Sequence, residues 1–400
     1  MKEWLLGHFG RVTSSGHYIP EIDGLRLLAI LLVLGHHVVA GYLEQTHRLG
    51  TQQLPRDWSL IYYRSSLVGW ALNLAIGVPL FCVISGFVLS LPFAANYLTG
   101  APRPSRKIYL LRRLVRLEPP YFLNLIFLFL VIVTPWRQAD PAAYFHWNFK
   151  LLAPHLVASL AYLHAAIYSQ PSWINGIAWT LEIEVQFYLL LPLFAELFRI
   201  RPTILRRAIL ISMLLASALV THYWIEPSGW ARLNLTLAIQ LHYFLAGLLL
   251  ADIYLEPPRN LTLRPIVLDL IALLNFVLFV YVLHWKTSLA WLEPLLIAGF
   301  YFGVLFGKWA SWPFRLRIVT LLGGMSYTVF LYHFFIVRKL LPLTVRLLPP
   351  VHALWFGATM QFLVLLVPVF GISAALFLMT ERPFMTLSKE ISRRSRSGLL

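Results

Sequence analysis

Apolar runs of about 20 residues recur from residue 22 to residue 380, and they leave this chain little choice of fold. Hydrocarbon offers no partner for backbone N–H and C=O groups, so each run must satisfy its own as a helix. Composition agrees: 12% of the 400 residues are charged, against about 25% in an ordinary soluble domain. Ten spans are expected, at 22–42, 68–91, 118–135, 177–198, 206–224, 233–253, 264–284, 288–307, 318–341 and 353–380. The shorter run 151–167 holds Pro154, His155 and His164 and reads as an interfacial or re-entrant segment. The expected fold is all-α, a polytopic helical bundle of about ten transmembrane helices that fills residues 1–400 as a single integral domain.

Charge orients the expected bundle. Lys and Arg crowd on alternate connections, above all Arg103, Arg106, Lys107, Arg112, Arg113 and Arg116 after the second span and Arg199, Arg201, Arg206 and Arg207 after the fourth. The positive-inside rule then puts both termini in the cytoplasm. The net charge of +16 is accounted for as a topology signal and requires no nucleic acid; the Arg393–Arg396 tail also suits anionic membrane lipid. Residues 1–20 are polar and the first apolar run is of spanning length, so an anchor is expected in place of a cleavable signal. The one cysteine, Cys82, lies in an apolar run and reads as an inert buried thiol.

Ionisable groups inside spans mark function by default. Arg26 and His37 share the first span, and eleven residues return a helix to within about 20° of its starting direction, about 16 Å further along. His36 would lie about 80° away, which favours His37 as the partner of Arg26. Counting about 1.5 Å per residue, His37, Glu184 and His333 each fall roughly 20 Å from the inner edge. An imidazole near a carboxylate suits removal of a hydroxyl proton at neutral pH. Polar groups that merely join helices make the same pattern. Nearer the cytoplasm lie Arg26, Ser85 and the set Arg112, Arg113 and Arg116. These guanidiniums could hold phosphates, although charge asymmetry alone would place them there. Between 136 and 176, Trp136, Tyr144, Phe145, Trp147 and Trp173 form either a headgroup-level belt or a surface for sugar rings. His146, His155 and His164 recur every nine residues, a spacing that sends alternate side chains to opposite faces of one helix, so no metal site is expected.

Six segments, in order, resemble those of the membrane acyltransferase family 3: Ile22-Asp-Gly-Leu-Arg26 followed by ten residues and then His37; Phe81-Cys-Val-Ile-Ser-Gly-Phe87; Tyr109-Leu-Leu-Arg-Arg-Leu-Val-Arg116; Trp179-Thr-Leu-Glu-Ile-Glu184-Val-Gln-Phe-Tyr188; Ser326-Tyr-Thr-Val-Phe-Leu-Tyr-His333; and Glu381-Arg-Pro-Phe384. The resemblance runs from near Ile19 to about Phe384. It implies transfer of an acyl group, usually acetyl, from an acyl-CoA such as acetyl-CoA to a hydroxyl of a carbohydrate, glycolipid or other acceptor. Carried over, His37 is the base, Arg26 is essential, and Glu184 orients His37 or joins proton transfer. Arg113 and Arg116, supported by Arg112 and Ser85, bind the donor, and His333, Trp179 and Tyr188 lie on the acceptor side. No permanently bound cofactor is implied. Val185 stands where a second glutamate is frequent, so the acidic role rests on Glu184 alone. The extra hydrolase-like domain that some relatives carry is not expected after Phe384. The expected place is the plasma (inner) membrane. The competing expectation is a flippase or secondary transporter for a glycolipid or anionic substrate, with Arg26 and Glu184 on its pathway.

Overall fold

The computed structural model describes residues 18–46, 76–134, 149–229, 233–257, 264–285, 288–348 and 354–396. Trp136, Tyr144, Phe145, His146 and Trp147 lie outside them. Every regular element among the described residues is helical. The principal helices are α1 (Pro20–Gln45), α2 (Gly77–Thr99), α3 (Arg106–Val133), α4 (Phe149–Leu160), α5 (His164–Tyr168), α6 (Trp179–Phe194), α7 (Thr203–Val220), α8 (Leu237–Leu255), α9 (Pro265–Trp285), α10 (Glu293–Phe306), α11 (Arg317–Gly324), α12 (Ser326–Leu347), α13 (Leu354–Leu376) and α14 (Arg382–Arg396). Among the described residues, eight stretches are long and apolar enough to cross a membrane: Pro20–Gln45, Gly77–Thr99, Arg106–Val133, Thr203–Ser228, Leu237–Leu255, Pro265–Leu283, Ser326–Leu347 and Phe356–Ser395. The expected spans 177–198 and 288–307 are the shorter helices α6 and α10, each lengthened by a 3-10 turn, Ala195–Arg199 and Ala290–Leu292.

The surface of α9 is that of a helix in lipid. Leu270, Leu273, Leu274, Val277 and Tyr281 are exposed along one face, while Leu268, Ala272, Phe279 and Val282 are buried on the other. Both faces are apolar, which water would not tolerate over such a length. The chain is an integral membrane protein.

Two compact units emerge. One comprises the described parts of His17–Ile84 and Asn260–Leu378, the other those of Ser85–Arg259 and Met379–Leu400. Helix α2 contributes its first third to one and the remainder to the other. In the first unit α1 is central and packs along α11, α12 and α13. Pro20 at its first position and Glu21 and Asp23 in its first turn explain where it begins. Gly24 lets α1 press against the backbone of Phe314, and Gly323 lets α11 press against the backbone of Asp23; a methyl group at either would overlap those atoms. That contact coincides with a break at Met325, so the expected span 318–341 is two helices, α11 and α12.

In the second unit α8 is the buried centre, enclosed on every side from His242 to Asp252. Gly86 of α2 lies against the Phe244 carbonyl in the same way, and Phe187 of α6 stacks on Phe244 at 4.1 Å. The expected connection 93–117 is for the most part helical, because α2 continues to Thr99 and α3 starts at Arg106. The Ser105 hydroxyl accepts from the Ile108 N–H and caps α3. Arginine and leucine are good helix formers, so charge alone did not make this stretch a loop. Helix α14 lies along α3, burying Glu381, Met385, Ser388 and Ser392 at helical spacing.

Candidate active site

The site residues named from sequence divide between the two units. Arg26, His37 and His333 belong to the first, and Ser85, Arg112, Arg113, Arg116, Trp179, Glu184 and Tyr188 to the second.

In the first unit Arg26 is not a bare charge. Its Nη1 donates to Asp23 Oδ1 at 2.7 Å, one turn back on α1, and Asp23 is fully buried. Further along α1, His36 is buried and His37 half-buried, with their rings edge to face at 5.1 Å. The His37 ring lies 5.2 Å from that of His333 on α12 and 4.9 Å from that of Phe334, and Arg338 sits over Phe334 at 5.6 Å. The expectation that His37 and His333 share a layer holds within this unit.

His333 has a defined tautomer. Its Nδ1 lies 2.8 Å from the Phe330 carbonyl and 3.2 Å from that of Val329. Carbonyls only accept, so Nδ1 carries the proton. In the neutral ring Nε2 then bears the lone pair; it is buried and has no hydrogen-bond partner among the described residues. In that form the His333 ring offers an acceptor beside His37, which is itself partly exposed.

In the second unit Ser85 Oγ donates to Glu184 Oε1 at 2.8 Å, tying α2 to α6. Tyr188, one turn beyond Glu184, is buried. The Arg113 guanidinium lies 6.0 Å from the Tyr109 ring centre and 5.8 Å from that of Tyr188. Arg112, Arg113 and Arg116 are half-buried on the helical entry to α3. Arg113 and Arg116 therefore stand three residues apart on a helix, close enough to hold one polyanion. Trp179 opens α6 and is half-buried.

Sequence reasoning missed three features of this unit. Tyr109 lies one turn before Arg113 and buries a hydroxyl that has no partner among the described residues; its i−4 spacing from Arg113 was the available signal. Glu182 is buried, accepts from the Ala165 N–H at 2.9 Å through Oε2, and leaves Oε1 without a partner among the described residues. The third is a correction. His155 and His164, which nine-residue spacing put on opposite faces of one helix, touch: Nδ1 of His155 is 2.8 Å from Nε2 of His164. The chain breaks between them, with α4 ending at Leu160 and Tyr162 in the left-handed region at φ 57°. The nine-residue argument fails with the helix it assumed.

A family model described as an acyltransferase domain matches residues 19–378. A curated relative, the peptidoglycan O-acetyltransferase OatA of Listeria monocytogenes, is 24% identical over 356 residues, which is 82% of this chain and 51% of the relative. The chain thus spans about half the length of that relative. No solved structure matches.

Proposed function

We propose, from the premise that the chain belongs to the acyltransferase family over residues 19–378, that it is a membrane O-acyltransferase. It moves an acyl group, acetyl by preference, from cytoplasmic acyl-CoA to a hydroxyl of a carbohydrate or glycolipid on the outer side of the plasma membrane. Most of each unit falls inside the family match at 19–378, which ends before α14, and both act as one acyltransferase domain; its termini lie in the cytoplasm by the charge asymmetry. The observation that carries the reading is the half-buried imidazole of His37 beside the tautomer-fixed ring of His333.

In the proposed reaction His37 takes the proton of the acceptor hydroxyl. The oxygen attacks the thioester carbonyl, the new C–O bond forms, and the C–S bond breaks. The leaving thiolate recovers the proton from the His37 imidazolium and departs as CoA. His333 presents its Nε2 lone pair to that side of the site and accommodates the extra positive charge without competing for it through a second charge. Arg113 and Arg116, with Arg112, bind the donor phosphates by charge-assisted hydrogen bonds. Ser85 holds the Glu184 carboxylate in place, and Asp23 holds Arg26. Trp179 and Tyr188 belong to the acceptor side. Support for a carbohydrate acceptor comes from the relative named for peptidoglycan O-acetylation.

Purified protein given acetyl-CoA and a panel of oligosaccharides tests the reading by product mass and CoA release. Acetylated product from the wild type and none from His37→Ala is expected. Equal transfer by both would overturn the assignment of the base.

A further inference from the structure

Arg338 takes no part in the proposed reaction, yet it stands close to the base. It follows Phe334 by one turn of α12, and helical side chains lean toward the preceding turn. Its guanidinium accordingly lies over the Phe334 ring at 5.6 Å, and that ring lies 4.9 Å from the ring of His37 on α1. One phenyl ring thus touches both the imidazole and the guanidinium. The charge stands no farther from His37 than those two distances together, a span within reach of a single substituted sugar.

The charge is exposed, and no carboxylate pairs with it among the described residues. The sequence supplies none nearby, for residues 294–380 hold no Asp or Glu. Helix α13 therefore offers no acid. On α1, the other long helix packed along α12, Glu21 and Asp23 lie in the first turn, at the far end from His37. Glu44, near the last turn, is exposed and makes no ion pair with Arg338. On the expected topology this half of α12 faces outward. The charge asymmetry that orients the chain disfavours arginine there, and the anionic cytoplasmic leaflet does not account for it. Packing on Phe334 steadies the plane of the guanidinium and leaves its N–H groups to bind the oxygens of a phosphate or carboxylate. Such a ligand has a further effect. When His37 takes a proton, its imidazolium and the guanidinium repel each other, and an oxyanion on Arg338 offsets that repulsion.

We propose that Arg338 is a specificity-determining residue: it holds a phosphate or carboxylate carried by the acceptor sugar, and so selects an anionic acceptor for the hydroxyl presented to His37. The role as acceptor rests on the acyltransferase reading; recognition of the anion does not require transfer. A phospholipid phosphate of the outer leaflet would meet the same guanidinium by the same chemistry, so the sugar and the lipid are tested as separate arms.

Binding is measured without donor, on the full-length protein in a phosphate-free polyoxyethylene detergent. The probes are tetrasaccharides of glucose and of N-acetylglucosamine, each in neutral, terminally phosphorylated and terminally carboxylated forms. At least one anionic form is expected to bind the wild type about tenfold more tightly than its neutral parent. Arg338→Gln is expected to abolish that preference at an unchanged thermal midpoint, and Arg338→Lys to keep part of it. Lys339→Gln is expected to keep all of it, because residue 339 leaves α12 about 100° away from residue 338. Equal binding of neutral and anionic forms by the wild type, or a preference that survives in Arg338→Gln, would overturn the proposal. So would a loss in Arg338→Gln confined to the binding of a short-chain phosphatidylglycerol, which would make Arg338 a lipid anchor. An anionic preference without CoA release from acetyl-CoA would leave the site standing and remove the acyltransferase reading. Transfer to a neutral sugar, alike in wild type and Arg338→Gln, would do the reverse.

Discussion

The two polar clusters solve the problem of polarity inside a membrane in different ways. Around His37 the first unit gathers imidazoles and a phenyl ring, with His333 satisfied by the carbonyls of its own helix. Around Glu184 the second unit joins separate helices through the Ser85–Glu184 bond and the packing of Arg113 on Tyr188. The first arrangement holds a lone pair unspent, which is what proton transfer needs. The second holds formal charge among donors and rings, which is what docking a polyanion needs. The contrast teaches that a ring satisfied within its own helix keeps a lone pair free, whereas a carboxylate bonded across helices serves to fix them.

The contrast would break first at His37. Replacement by alanine is expected to lower kcat by about 10²–10⁴-fold while leaving the donor KM near wild type, as measured by CoA release. A next-largest effect is expected at Arg113: alanine there should raise the donor KM by about 10- to 100-fold, with lysine recovering only part. If Arg113→Ala changed kcat and left KM alone, the division of labour would be wrong. His333 sharpens the comparison. His333→Phe should lower kcat about tenfold, and His333→Gln, which can place an acceptor near the former Nε2, should recover some of it. Equal activity in the two variants would make His333 a packing residue.

A structural control involves neither cluster. Arg206 is fully buried and pairs with Asp252, and its Nη2 lies 2.6 Å from Glu256 Oε2. Asp252→Ala takes the carboxylate from the buried Nε of Arg206 while Glu256 still holds Nη2, and is expected to cost about 3 kcal/mol of stability, read as a fall in thermal midpoint. A smaller, pH-dependent effect belongs to Glu256. Burial raises its carboxyl, but hydrogen bonds from Thr203 and Arg206 outweigh that and hold it below the ordinary 4.5. A depressed pKa contributes stability above pH 4.5 that is lost as pH falls through the folded value. The thermal midpoint should therefore drop on acidification below about 4.5, and less steeply in Glu256→Gln.

Sequence carried the architecture where apolar periodicity was strong. Helix α1 falls within three residues of its expected ends, because Pro20 opens it and the apolar run that follows holds no further proline. The start of α3 was hidden, because Arg106–Arg116 carries the charge of a loop on residues that favour helix. The His37–His333 contact was legible from depth, since both lie on spans whose ends can be counted. The His155–His164 contact was not. It depends on a reversal at Tyr162, a left-handed residue that is neither glycine nor asparagine, and so carries no turn signal in the sequence. Tyr109 was in view within a motif, but only its packing on Arg113 gives it a role.

The most direct test of the central claim is single-turnover acetyl transfer by wild type and His37→Gln at saturating acetyl-CoA and oligosaccharide. Glutamine keeps polarity and approximate size but cannot take up a proton at neutral pH. The account predicts that donor binding survives and that the transfer step slows by about 10²-fold or more. Transfer at the wild-type rate in His37→Gln would contradict it.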